Sequence, residues 1–203
     1  DSRQLQALPG AGPIALGKRI FVPSIENRVE VYHLDRFNWQ PELLPSTGRV
    51  LSQPVLGQRS IAWSTDAGNV YVAGTAKAAM WYRVNTLGKV LAPIAYQAPG
   101  RYVANCQDGF VYCIDEATGD MVWRQSLGEV LTNEPLLVKN RAYIVSRDQN
   151  CYCLDMRNGE IVWSQPNLQR IVAASGKRLY ALDRLGNLMI LNLETGGRFK
   201  TVS

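Results

Sequence analysis

The chain reads as all-β, a β-propeller of about five four-stranded antiparallel blades, and three observations in its 203 residues predict that fold. The first is a spacing: Trp39, Trp81, Trp123 and Trp163 recur 42, 42 and 40 residues apart. The second is that other residues keep the same beat. Pro13, Pro54, Pro93 and Pro135 form one series, Arg19, Arg59, Arg101, Arg141 and Arg178 another, and Tyr32, Tyr71, Tyr112 and Tyr152 a third. A period of roughly 40 residues belongs to propeller blades or to helical solenoids. The third observation separates those two. Apolar residues alternate over short stretches, as at 101–106, 110–114 and 141–146, and no segment carries a sustained helical stripe.

Each unit therefore predicts four strands. In the fourth unit they fall near Pro135 to Val138, Ala142 to Ser146, Cys151 to Asp155 and Glu160 to Ser164. Turns at 107–109, 117–119, 157–159 and 194–196 each end in Gly, which supplies the positive φ that a tight hairpin needs. A single such sheet cannot bury both faces, so it stacks on copies of itself. The repeated Trp is expected to fill the wedge between neighbouring sheets. One domain, 1–203, is expected, with blades at approximately 13–48, 49–88, 89–128, 129–167 and 168–203. Residues 1–12 form a lead-in whose end resembles the linkers 48–54 and 88–93. Either five blades close into a small ring, with residues 3–8 pairing at the seam, or the chain is an arc of a larger propeller. Bare end faces would drive self-association, and a closed or self-associating unit is the favoured expectation.

Two segments carry a family resemblance: Val111-Tyr-Cys-Ile-Asp-Glu-Ala-Thr-Gly-Asp-Met-Val-Trp123 and Cys151-Tyr-Cys-Leu-Asp-Met-Arg-Asn-Gly-Glu-Ile-Val-Trp163. They resemble the PQQ-like (quinoprotein-type) repeat: an apolar strand, an Asp, a turn ending in Gly, and a short strand closing on Trp. The resemblance weakens toward both ends. Unit one keeps Tyr32, Leu34, Asp35 and Trp39 without the Gly turn, and unit five has Asn192 for Asp and Phe199 near the Trp place. In this family, dehydrogenases bind pyrroloquinoline quinone and calcium, typically with an adjacent Cys pair. No adjacent Cys pair occurs in this chain. The Asp series 35, 115 and 155 recurs at one place before a turn, which points to turn capping rather than to calcium ligation. What the chain lacks is similar to what the family's non-catalytic propellers lack, among them the periplasmic lipoprotein of the bacterial outer-membrane assembly machinery. That resemblance implies an exported, periplasmic bacterial protein.

The formal net charge is +5, but the repeating Arg spreads the excess around the fold and no long Lys/Arg run exists, so nucleic-acid binding is disfavoured. Cys113 and Cys153 share one register, which His33 occupies in unit one and Ile190 in unit five. That register reads as an apolar pocket, not as a metal site. Cys106 and Cys151 complete the four, and their redox state is open. No apolar run is long enough to span a bilayer. His33 is the sole histidine, and no phosphate loop, zincin or nucleophile-elbow motif is present, which disfavours an enzyme.

The expectation is a non-catalytic scaffold for protein–protein interaction, without a cofactor, whose partner the sequence does not name. Candidate binding residues are Asp66, Gln107, Asp108, Arg147, Asp148 and Gln149. They lie in the second-to-third-strand turns of three successive units and so on one rim. Two other readings stay open: a piece of a quinoprotein dehydrogenase using pyrroloquinoline quinone with calcium, and a carbohydrate-binding propeller.

Overall fold

Alternating apolar sequence and Gly-ended turns produce strands throughout. The computed structural model describes residues 4–36 and 38–202, in which all the regular structure is β-strand. Sheet 1 holds β1 (Ile14–Leu16), β2 (Arg19–Ser24), β3 (Arg28–His33) and β4 (Glu42–Pro45). Sheet 2 holds β5 (Val55–Leu56), β6 (Ser60–Ser64), β7 (Asn69–Gly74) and β8 (Ala79–Asn85). Sheet 3 holds β9 (Ala95–Gln97), β10 (Arg101–Asn105), β11 (Phe110–Asp115) and β12 (Met121–Ser126). Sheet 4 holds β13 (Leu136–Val138), β14 (Arg141–Val145), β15 (Cys151–Asp155) and β16 (Ile161–Gln165). Sheet 5 holds β17 (Arg170–Ser175), β18 (Arg178–Leu182), β19 (Leu188–Asn192) and β20 (Arg198–Val202). Within each sheet the strands are ordered as in the sequence and run antiparallel, the arrangement of a propeller blade.

The hairpin between second and third strands fixes the register of every blade. It turns on one residue of positive φ: Asn27, Gly68, Gly109, Gln149 and Gly186 in sheets 1 to 5. Counting from that residue, β12 brings Trp123 opposite Cys113 and β16 brings Trp163 opposite Cys153. In sheet 2 the same place belongs to Tyr82, opposite Val72, and in sheet 5 to Lys200, opposite Ile190. Trp81 and Phe199 are one residue off. Each falls at the irregularity that doubles one side of the fourth-strand ladder, and a shift of one residue sends the side chain to the other face. The expectation that all four repeated tryptophans pack between blades is therefore corrected. Trp123 and Trp163 are 7% and 9% exposed, whereas Trp39 and Trp81 are 60% and 41% exposed.

The inward-facing rings clasp the next blade. A Cβ on Gly159 would come within 2.7 Å of the Trp123 ring, and one on Gly196 within 2.7 Å of Trp163, so only Gly lets the indole lie flat on the turn. The indole N–H of Trp123 donates to the Met156 carbonyl at 2.9 Å, and that of Trp163 to the Leu193 carbonyl at 3.3 Å. Tyr82 makes the equivalent contact over Gly119 and donates its hydroxyl toward the Asp115 and Glu116 carbonyls at 2.9 and 2.7 Å.

Sheet 1 corrects three further expectations. Its register places His33 opposite Arg19, as Asp115 is opposite Arg101, so Val31 and not His33 holds the place of Cys113 and Cys153. Tyr32 sits two residues beyond the place of Tyr71, which Glu30 fills, and Asp35 lies outside the capping series. The capping itself is present elsewhere. Asp115 Oδ1 accepts the amides of Ala117 and Thr118, Asp155 Oδ1 that of Arg157, and Asn192 Oδ1 those of Glu194 and Thr195.

The apolar core consists of four layers, one between each pair of successive sheets. Phe21, Leu44 and Trp63 fill the first, Val72 and Tyr102 the second, Trp123 and Ile144 the third, and Trp163 and Leu179 the fourth. All four cysteines are free thiols inside these layers. Burial pushes the thiols of Cys113 and Cys153 up to about 11.

The lead-in follows the path of a linker. Ile25 N–H donates to the Leu8 carbonyl at 3.2 Å, as Asp66 N–H does to Arg49 at 3.1 Å and Gln107 N–H to Lys89 at 2.9 Å. Residues 4–8 do not pair with sheet 5, and residue 3 lies outside the described residues. Among the described residues no backbone hydrogen bond joins sheet 5 to sheet 1.

Candidate functional site

Strand topology gives the fold two rims. Turns between second and third strands, together with the linkers between sheets, form one; turns between first and second and between third and fourth strands form the other. The six sequence-predicted residues all lie on the first rim, one turn each in sheets 2, 3 and 4. Arg147 and Asp148 are exposed there, while Asp66, Gln107, Asp108 and Gln149 are half-buried.

Several of these side chains are already occupied. Asp66 accepts the Arg49 amide at 2.7 Å and its guanidinium at 2.8 Å, which fastens a turn of sheet 2 to the preceding linker. Those bonds oppose the cost of burial and hold its carboxyl below the ordinary range. Asp108 does the same in sheet 3, accepting the amides of Leu87 and Phe110 and the Tyr112 hydroxyl. Asp148 accepts from Ser146 and Asn150 within its own hairpin. The turns are thus rigid and equally placed, with Arg147 pointing to solvent.

The other rim carries features that sequence reasoning missed. Arg36 lies over the Trp39 ring at 4.3 Å, in the long connection from β3 to β4. Leu16, Arg19, Arg36 and Thr75 line a cleft between sheets 1 and 2. One blade further on, Arg59, Trp81, Pro99 and Asp115 line a cleft of roughly 180 Å³ between sheets 2 and 3. The signal for this lay in the Trp81-Tyr82 doublet and in a unit that keeps Trp39 without the Gly turn. Trp81 lies against Gly74 of its own hairpin and not on the turn of the next sheet, which leaves it 41% exposed.

The floor of that second cleft is Glu116, 5% exposed. It stands where sheets 4 and 5 have Met156 and Leu193, the residues whose carbonyls receive the indole of the preceding blade. Its carboxylate accepts Ser60 Oγ at 2.6 Å, Tyr96 Oη at 2.7 Å and the Arg59 amide at 3.1 Å. Burial works against its charge, but these bonds outweigh burial and keep the carboxyl below its ordinary value. The cluster pins sheet 2 to sheet 3 through a carboxylate where the later interfaces have the apolar side chains of Met156 and Leu193.

Calcium takes several converging oxygen ligands. Asp115 and Asp155 spend their carboxylates on turn amides and, for Asp155, on Arg141 at 2.6 Å and Arg157 at 2.7 Å. Among the described residues no three His, Cys, Asp or Glu side chains come together to hold a metal ion. Among the described residues no helix is long and apolar enough to cross a membrane.

A family profile described as outer membrane protein assembly factor BamB matches residues 36–200. Among solved structures, BamB from Moraxella catarrhalis is similar at a TM-score of 0.79 and 16% identity, over 98% of this chain and 66% of that one. The computationally designed Ika8 protein is similar at a TM-score of 0.78 and 13% identity, over 94% of this chain and 60% of that one. The chain thus spans 66% and 60% of the lengths of these two proteins. No curated protein matches the sequence.

Proposed function

This chain belongs to the outer membrane protein assembly factor BamB family, and from that premise we propose that it is a non-catalytic, exported scaffold that holds a protein partner during outer-membrane protein assembly. It works in the periplasm and without a resident cofactor. The observation that carries this reading is the family match over 36–200, which takes in all or part of all five sheets. The physical support is rigidity. Turns on the first rim are fastened to the neighbouring linkers by paired backbone bonds, as at Gln107 to Lys89 and Arg147 to Val130. Bonds of this kind hold each sheet against the next, so a partner meets a frame that needs little ordering on binding.

Deleting the gene from its host and measuring folded outer-membrane β-barrel proteins by heat-modifiable gel mobility tests the reading. The expected result is a clear fall in folded barrels, restored by the plasmid-borne gene, with the product in the periplasmic fraction. Unchanged barrel levels, or dye-linked alcohol oxidation by the purified protein with added pyrroloquinoline quinone and calcium, would overturn it.

A further inference from the structure

We propose that the rim of sheets 1 and 2 that bears Trp39 and Trp81 is the docking surface, and that its occupant is an acidic protein segment with aromatic or aliphatic anchors. This deepens the scaffold reading above and rests on it.

Three observations converge on the surface. Both exposed tryptophans of the described chain stand on this one rim, in adjacent sheets, and Leu16 and Leu34 at the same end of sheet 1 are 42% and 50% exposed. The opposite rim exposes aliphatic side chains too, Leu8 and Ile25 at sheet 1, Leu87 in the linker after sheet 2 and Leu185 in the sheet 5 hairpin, but no exposed tryptophan stands among them. Large aromatic surface left in water is costly, and a cluster of it rimmed by polar groups marks an interaction site.

Each tryptophan is accompanied by an arginine. Arg36 covers the Trp39 ring, and Arg59 shares the cleft of Trp81. Tryptophan and arginine are the residue types that carry most binding energy in protein interfaces, because a flat ring and a planar cation bury large area at small entropic cost. The pairing recurs one blade apart. An extended segment lying along the rim would meet two such pairs in succession.

Charge selects the occupant. Lys18 is paired with Asp35 at 3.5 Å, but Arg36, Arg59 and Lys77 on the same rim form no ion pair among the described residues. Two acids share the cleft of Arg59: Glu116 is buried and already bonded to Ser60 and Tyr96, and Asp115 accepts the turn amides of Ala117 and Thr118. The surface therefore presents positive charge around apolar anchors, and carboxylates flanking an aromatic or aliphatic side chain complement it.

Selection from a random-peptide display library on the purified chain tests this, followed by fluorescence titration of the enriched peptides. Peptides combining Asp or Glu with Trp, Phe or Leu are expected. They should bind Trp39→Ala/Trp81→Ala about tenfold or more weakly, and Arg36→Glu/Arg59→Glu likewise, while Asp108→Lys/Arg147→Glu on the other rim binds as the native chain does. All these side chains except Asp108 are exposed, and circular dichroism confirms that each variant is folded. Basic or uncharged consensus peptides, or acidic ones that ignore both rim variants, would overturn the proposal. Binding lost only in Asp108→Lys/Arg147→Glu would also overturn it while leaving the scaffold reading standing on the other rim. The scaffold reading falls separately, on unchanged barrel levels in the deletion strain.

Discussion

Sheets 3 and 4 use tryptophan to hold the fold together, and sheets 1 and 2 keep tryptophan at the same sequence period but turn it outward. In the later pair each indole lies on a glycine of the next turn and donates its N–H to a backbone carbonyl. In sheet 2 the clasp is made by Tyr82, one residue along, and Trp81 is left on the rim. In sheet 1 the connection between β3 and β4 lengthens, and Trp39 rides on it under Arg36. A strand reverses its side chains every residue, so a single step separates a core aromatic from a surface one. Repetition of a residue type is thus evidence for the architecture and not for the job of each copy.

The largest effect expected from breaking this contrast is at Trp123. Replacement by Ala empties the wedge between sheets 3 and 4 and leaves the Met156 carbonyl with the Arg101 guanidinium as its remaining donor. The cost should be about 3–5 kcal/mol by urea denaturation, typical of a buried aromatic truncation. A shift below about 1 kcal/mol, the scale of an ordinary surface change, would mean that the clasp does not hold the blades.

A second difference is electrostatic. Asp155 is held well below the usual carboxylate range, first by the Arg157 side chain and further by the Arg157 amide and Arg141, against the opposing effect of burial. Sheets 1 and 2 place His33 and Gly74 at the same point of the hairpin and have no counterpart. Because the folded value lies below the unfolded one, the stabilisation is complete above the ordinary carboxylate value of about 4 and is lost as pH falls below it. Asp155→Asn keeps an acceptor for the turn amide but loses the charge. It should cost about 1.5–3 kcal/mol at neutral pH and progressively less in acid, followed as denaturation midpoint against pH. An equal cost at every pH would show that the turn, and not the ion pairs with Arg141 and Arg157, carries the stabilisation.

How much of this was legible follows the same division. The hairpins of sheets 3 and 4 were readable to within a residue at most strand ends, because alternation and Gly at 109, 119 and 159 act locally and in agreement. The exchange of Asn192 for Asp was readable too, since either side chain accepts the turn amides. Sheet 1 was misaligned by two residues because it lacks the Gly turn, and its register is set instead by Asn27 at the far end of the hairpin. The clasp of sheet 2 was missed because two adjacent aromatics compete for one place, and the irregularity in β8 that decides between them leaves no mark in composition. The predicted rim residues do share an end of the fold. That Asp66 and Asp108 spend their carboxylates on linkers depends on contacts across sheets, which no local pattern reports.

The smallest effects sharpen the comparison most, because they separate neighbours. Tyr82 and Trp81 are adjacent, both aromatic, and only the second fits the sequence period. Tyr82→Phe removes a hydroxyl that lies 2.7 Å from the Glu116 carbonyl and keeps the ring over Gly119, so it should cost about 1 kcal/mol, the worth of one hydrogen bond. Trp81→Ala removes a far larger side chain from the rim and should change stability by no more than about 0.5 kcal/mol. Paired denaturation curves check both. If the larger truncation cost more than the loss of one oxygen, Trp81 would be part of the interface between sheets 2 and 3 after all, and the distinction between a clasping and a surface aromatic would fail at the residue where it is tightest.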